Sequence, residues 1–425
     1  MANFWVQEVA GSNPASPTKP RIGTGEHVML PQPDALDRRL QVMRTRWLAL
    51  ICGSLMLAGC GRPPVPQHAI VSPDAEQTCR DQPVLIGPPG DIDGIQFVSA
   101  TRGWAVGYDI LLATTDGGRR WTVQRSGRLN LTSVDFISGT AGWAVGADAL
   151  LTTSDGGARW TALPEPGPCL PIRSVHFISP QDGFAVAGGS GIADFGPQTP
   201  QSGGVVLVTS DGGHSWRVRS APADAQTVCF SDPRDGWLGA GGQLYRTTDG
   251  GRSWAQVTAG MQPASDGGFP TVMIVQCAGA GSAWALDVGM GANMSKQPNV
   301  GYRVGPAGAV PIFAGQYLLH PGIRVTAASP GAYAGPFSAI SPSAAAFVGW
   351  CPACAEATAA VPWDLATGSR LVSEGDIDGL ISPGAASFLS PRLGWVAGAI
   401  SSTRTGIAFT DNGGRTWHVQ YVTKS

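Results

Sequence analysis

One short unit recurs along this chain, and any fold must give all of its copies equivalent places. Five segments match Ser/Thr-x-Asp-x-Gly-x-x-Trp or nearly so: TTDGGRRW (114–121), TSDGGARW (153–160), TSDGGHSW (209–216), TTDGGRSW (247–254) and TDNGGRTW (410–417). The last places Asn412 where the others have Asp. Upstream of each, an aromatic follows a Phe by seven residues: Phe97/Trp104, Phe136/Trp143, Phe177/Phe184, Phe230/Trp237 and Phe388/Trp395. Two degenerate copies, Cys277/Trp284 and Ile340/Phe347, fill the middle. Seven units of about 49 residues result, matching the roughly 40–50 residues of a four-stranded propeller blade.

The second unit shows how each is built. SVDFIS (133–138) alternates, GWAVG (142–146) follows a turn, ALLTT (149–153) comes next and WTAL (160–163) ends the unit. Four short strands joined by Gly-rich turns make an antiparallel blade, and a ring of blades protects most strand edges. A composition of 59 Gly and 14 Trp in 425 residues suits many tight turns and many large buried rings. The expectation is an all-β, seven-bladed β-propeller of four-stranded antiparallel blades over residues 84–425. One blade cannot bury both faces alone, so the ring should be cooperative.

The DGG turn has a mechanical explanation. Asp116 can accept backbone N–H bonds across the turn, Gly117 and Gly118 permit positive φ, and Trp121 folds back over the hairpin. Asp116, Trp121, Asp155, Trp160, Asp211, Trp216, Asp249, Trp254, Asn412 and Trp417 are therefore assigned structural roles. These segments resemble the Asp-box (BNR) repeat. The GWAVG…T-x-DGG-x-x-W pairing is similar to propellers of the photosystem II stability/assembly factor type, well over 90–258 and 380–422 and poorly over 270–370. That resemblance implies an extracytoplasmic, non-catalytic chaperone or scaffold. Sialidases, xyloglucanases and sortilin-type receptors share Asp boxes, so the repeat specifies fold better than activity.

The N-terminal region concerns address. Residues 43–59, MRTRWLALICGSLMLAG, have a basic start and an apolar stretch shorter than the ~20 residues of a membrane span. With Cys60 following, Leu57-Ala58-Gly59-Cys60 resembles the bacterial lipobox. The resemblance implies that Cys60 is lipidated and that residues 60–83 carry the lipidated Cys and form a flexible tether. Gly11-Ser12-Asn13-Pro14 is what a transfer-RNA T-arm encodes in one frame, so residues 1–42 are expected to be an extension from a misplaced start codon. The location implied is extracytoplasmic, lipid-anchored to a bacterial membrane.

In this topology the boxes are turns between the third and fourth strands of each blade. The long insertions, Gly188–Gly204, Asp287–Tyr302 and Trp350–Trp363, fall at the other end. Long loops gathered on one face are more often functional, so Phe195, Tyr302, Trp350 and Trp363 are candidate binding anchors. GDIDG occurs at 90–94 and again at 375–379, and ring closure would bring Asp91, Asp93, Asp376 and Asp378 together. Such carboxylates suit Ca²⁺ or a glycosidase acid pair, although Asp-x-Asp-Gly is also common turn chemistry. Otherwise no cofactor or other metal is expected. Cys351-Pro352-Ala353-Cys354 lacks the further ligands a zinc site needs and reads as a loop disulfide. Cys229 and Cys277 lie on inner strands of adjacent blades and are candidates to join them.

With Lys+Arg 28 against Asp+Glu 30 and only 14% charged residues, a nucleic-acid footprint is not expected. Sialidase chemistry lacks its Arg-Ile-Pro motif, and Glu165, Glu356 and Glu374 have no Tyr neighbour in sequence. The reading is a non-catalytic, monomeric propeller that binds an envelope or membrane protein while tethered by its lipid. The alternative is a sialidase- or xyloglucanase-like glycoside hydrolase, or a glycan-binding propeller.

Overall fold

A computed structural model of the protein describes residues 91–146, 149–167, 172–188, 204–261, 271–289, 297–315, 325, 327–351 and 361–423. Those residues contain strands and turns and no helix. The first sheet comprises β1 (Ile92–Phe97), β2 (Gly103–Thr114), β3 (Thr122–Phe136), β4 (Gly142–Gly146), β5 (Ala149–Thr153) and β6 (Thr161–Ala162), in that order. The second is β7 (Ile172–Phe177), β8 (Gly183–Ala187), β9 (Val205–Thr209) and β10 (Arg217–Arg219). The third is β11 (Ala225–Phe230), β12 (Gly236–Ala240), β13 (Gln243–Thr247) and β14 (Ala255–Gln256). The fourth holds β15 (Thr271–Cys277), β16 (Ala283–Gly289), β17 (Asn299–Gly305), β18 (Gly308–Ala314) and β19 (Ala327–Ala328). The fifth is β20 (Tyr333–Ser341), β21 (Ala344–Trp350), β22 (Pro362–Thr367) and β23 (Arg370–Asp376). The sixth is β24 (Ser382–Ser390), β25 (Leu393–Ser401), β26 (Arg404–Thr410) and β27 (His418–Val422).

Two sheets depart from four antiparallel strands. The first has six because β3 is continuous: Thr122–Ser126 pairs with β2, and Leu131–Phe136 pairs with β4. The fourth gains β19, which pairs in parallel with the end of β18.

Burial follows strand position. The second strands β4, β8 and β12 are buried at every residue, because a middle strand has a neighbouring sheet on each face. The outer strands β10, β14 and β23 are largely exposed. The glycines that open β2, β4, β8 and β12, and the one second in β25, are required by close approach. The rings of Phe97, Phe136, Phe177, Phe230 and Phe388 occupy the space a Cβ would need at Gly103, Gly142, Gly183, Gly236 and Gly394.

Sheets join through the inner strands by a repeated device. A side chain near the end of one inner strand reaches the backbone of the next. Gln96 accepts from the Phe136 N–H and donates to its carbonyl. Asp135 Oδ2 accepts from Phe177 N at 2.6 Å, and His176 Nε2 lies 2.8 Å from the Phe230 carbonyl. Gln276 takes both backbone groups of β20, donating to Phe337 O and accepting from Ala339 N, each at 2.9 Å. Ser338 Oγ accepts from Phe388 N at 2.9 Å. Ser387 Oγ accepts from Phe97 N at 3.0 Å, which closes the last sheet onto the first.

Between β11 and β15 the same position is covalent. Cys229 and Cys277 form a disulfide, Cα–Cα 5.6 Å, as their adjacent inner-strand placement suggested. It closes a loop of 48 residues, for which chain-entropy reasoning gives about 4 kcal/mol, at the top of the range of about 2–4 that disulfides typically contribute. Replacing both cysteines by Ser should therefore lower the unfolding free energy by about 2–4 kcal/mol, read as a lower urea midpoint.

Candidate functional site

The Asp boxes turn their polar groups inward. In the first, Asp116 Oδ1 accepts from Arg120 N at 2.9 Å and from the Thr114 hydroxyl at 3.0 Å. Thr114 Oγ1 in turn accepts from Gly118 N at 2.9 Å. Gly117 and Gly118 have φ of 76° and 90°, as the tight turn demands. Asp155, Asp211, Asp249 and Asn412 accept the equivalent backbone N–H groups of Arg159, Ser215, Ser253 and Thr416. The N–H bonds lower the carboxyls of Asp116 and Asp155, while in Asp249 the Ser253 hydroxyl is the larger cause. Each side chain is already engaged by its own turn.

The boxes also serve the neighbouring sheet. Trp104 Nε1 donates to Gly156 O at 3.0 Å, Trp143 Nε1 to Gly212 O at 2.9 Å, and Trp395 Nε1 to Gly117 O at 3.2 Å. The same indoles stack on the inner-strand Phe of that neighbour: Trp104 on Phe136, Trp143 on Phe177 and Trp395 on Phe97, with ring centroids 3.4–3.5 Å apart. Trp121, Trp160, Trp216, Trp254 and Trp417 then meet Phe97, Phe136, Phe177, Phe230 and Phe388 edge-on within their own units.

Several anchor candidates are corrected. Tyr302 is fully buried in β17, packed with Cys229, Trp237 and Met273. It fills the interface where Cys277 stands in place of the Phe found in other units. Trp363 is fully buried in β22 and stacks on Phe388 (5.3 Å, 21°). In β21, Ala346 occupies the register position that Trp395 holds in β25. Trp363 supplies the missing ring from the next strand and lies against Gly414 of the following box. Trp350 ends β21 half-buried, edge-on to Tyr333. Phe195, Cys60 and Cys354 lie outside the described residues; Cys351 is disulfide-bonded.

The four carboxylates do not form one cluster. Asp91 and Asp93 enter the inner strand β1, and Asp91 accepts from the Thr405 hydroxyl at 2.9 Å. Asp376 ends the outer strand β23, opposite Pro362, and Asp378 is exposed in the following turn. Inner and outer strands stand at opposite edges of their sheets, so the repeated pentapeptide does not converge. Among the described residues no three His, Cys, Asp or Glu side chains group as a metal site. Asp93 touches solvent but is ringed by protein; this desolvation, then the Asp91 charge, pushes it up to about 6.

Two carboxyls that the motifs did not reveal are buried in strands. Asp287 in β16 is 3% exposed, accepts from Thr271 through one oxygen, and has no partner for Oδ1. Burial pushes it up to about 7. Asp364 in β22, bonded to Ser373, is pushed up to about 6 by burial. Their sequence signal is an acidic residue inside an otherwise apolar strand.

A cavity of about 120 Å³ lies between the second and third sheets, lined by Asp182, Phe184, Val208, Arg219, Gly250 and Arg252 among others. Its cause is visible in the repeat. Phe184 stands where five other units have Trp, stacks on Phe230 at 3.4 Å, and has no indole N–H for the Gly250 carbonyl.

Comparison with known proteins comes to the same class. A family model described as photosynthesis system II assembly factor YCF48 matches residues 89–187. An ancestral GH74 enzyme superposes with TM-score 0.52 at 14% identity, covering 81% of this chain and 48% of that one. This chain thus spans about half the length of that enzyme. YCF48 bound to a D1 peptide gives TM-score 0.46 at 16% identity, covering 78% and 93%. YCF48 from Cyanidioschyzon merolae gives 0.38 at 15% identity, covering 79% and 86%. No curated protein matches the chain. The sheets and their repeat define an all-β propeller, and residues 89–187 are similar to the assembly-factor model.

Two measurements follow from this geometry. Thr247 is 2% exposed and accepts from Gly251 N, so Thr247→Val leaves a buried N–H unpaired and should cost about 1–3 kcal/mol in urea unfolding. Asp287 holds its proton to about pH 7 in the folded state, against 3.8 as the ordinary value. Between these values the folded state binds the extra proton, so this residue's contribution to stability falls as pH rises from about 4 to 7 and is constant above. Asp287→Asn should flatten that fall and raise stability at pH 8 by on the order of 3 kcal/mol. Urea midpoints of wild type and variant at pH 4.5 and 8 check it.

Proposed function

We propose that this protein is a lipid-anchored, extracytoplasmic, seven-bladed propeller that acts as a non-catalytic protein-binding or assembly scaffold. The observation that carries the reading is the match of residues 89–187 to the YCF48 assembly-factor model, on a framework whose Asp-box side chains are engaged by their own turns. Seven blades follow when the six-stranded first sheet is read as two, divided within β3. The lipobox-like Leu57-Ala58-Gly59-Cys60 supports anchoring. The insertions predicted from the sequence, 188–204, 287–302 and 350–363, are the proposed partner-facing segments, without Tyr302 and Trp363, which are buried.

The buried carboxyls do not favour hydrolysis. Asp287 and Asp364 are enclosed between packed sheets, 3% and 6% exposed, where a polysaccharide has no access. Likeness to the GH74 enzyme at 14% identity concerns fold alone.

Crosslinking from native membranes, with links mapped to residues, tests the reading. The expected result is one membrane or envelope protein linked through those three segments. Palmitate labelling should be present in wild type and absent in Cys60→Ser. Cleavage of xyloglucan or a sialoside by the purified chain, with no protein partner captured, would contradict the scaffold reading.

A further inference from the structure

The cavity between the second and third sheets arises from two departures from the repeat, and together they give it a chemical character. The first is Phe184, which leaves the Gly250 carbonyl without its indole. The second lies three residues after the box Trp. That position is Gln124, Leu163, Arg219, Val257 and Gln420 in successive units. Gln420, Gln124 and Leu163 lie against the second box glycine of the next unit, at Gly118, Gly157 and Gly213. Gln124 Oε1 also accepts the Trp160 indole N–H at 3.0 Å.

Arg219 breaks this pattern. Its guanidinium has no lone pair to accept an N–H, and it is not among the nearest neighbours of Gly251. It lines the cavity instead. Its buried Nε has no hydrogen-bond partner, and neither does the Trp254 indole nitrogen. The residue as a whole is half-buried, but a buried N–H without an acceptor is costly unless something supplies one. Arg252 stands at the same cavity, with one terminal nitrogen committed to Asp249 O at 2.8 Å. Its remaining N–H groups are available.

We propose that this cavity binds a carboxylate group, held by the guanidinium groups of Arg219 and Arg252 over the apolar floor made by Phe184 and Val208. A planar carboxylate matches the guanidinium fork. Asp182 on the wall makes a dianion such as phosphate a poorer fit. The site belongs to the Asp-box ends of the second and third sheets and does not depend on the scaffold reading. The carboxylate comes either from a free small acid or from an acidic side chain of a protein.

The test is NMR titration of the full-length chain with acetate, replacing chloride at constant ionic strength. The expected result is a saturable downfield shift of the Arg219 Nε–H resonance. Phe184→Trp fills the cavity and should weaken acetate binding at least tenfold. Arg252→Gln, remote from the core, should weaken it without affecting folding. Arg219→Gln should abolish binding. A blocked peptide, acetyl-Gly-Glu-Gly-amide, separates the sources: tenfold tighter binding than acetate indicates a protein side chain, and equal or weaker binding a free acid. An Arg219 resonance unmoved by acetate, or equal acetate affinity in wild type and Arg252→Gln, overturns the proposal.

Discussion

Everything else in this molecule depends on how one inner strand is fastened to the next. A sheet of four short strands has two faces to bury and two edges to protect, and none of these sheets is stable alone. The fastening sits directly opposite the aromatic of the second strand: Gln96 faces Trp104, Asp135 faces Trp143, and Ser387 faces Trp395. A polar bond near the axis and a stacked ring farther out therefore act at the same height of each interface. The bond sets the register between sheets and the ring supplies the buried area. At the seam between the last sheet and the first, Ser387, Trp395 and Thr405 reach back to Phe97, Gly117 and Asp91.

The Asp box is part of the same machinery. Its carboxylate holds the turn rigid, and the turn then presents the carbonyl of its first glycine to the indole of the preceding unit. Three of the five turns meet a neighbour's indole in this way, at 2.9–3.2 Å, and such a turn has little freedom to vary. Function is then left to residues the interface does not fix. The box arginines and the cavity at Phe184 are such places. That cavity shows that one interface can lose its indole and remain stacked, 3.4 Å ring to ring, with space left beside it.

The parts legible in the sequence are those where one residue type is compulsory. Only Gly fits beneath the Phe rings, and only Gly takes the box turn readily, so all-β repeats and their approximate boundaries could be read directly. The fastening position was not legible, because Gln, Asp, His, Cys and Ser each accomplish it. Ring position misled in the degenerate units. In the fifth sheet Ser338 is the fastening residue opposite Ala346, so the Ile340/Phe347 pair does not occupy the register of the other pairs. Trp363 fills the gap from a different strand, which made a core residue look like a loop residue. Tyr302 misled in the same way beside the disulfide. The carboxylates failed for another reason: GDIDG repeats in sequence, but one copy enters an inner strand and the other leaves an outer one.

The central claim is that these fastenings make a closed, cooperative ring, and native-state hydrogen exchange measures it most directly. The Phe97 amide is held by Ser387 across the seam, whereas the Phe136 and Phe177 amides are held by Gln96 and Asp135 between consecutive sheets. If the ring is one cooperative body, all three amides exchange with the same opening free energy and the same denaturant dependence. A Phe97 amide that exchanges through a smaller, denaturant-independent opening would contradict the account, because the seam would then open while the rest of the molecule stays folded.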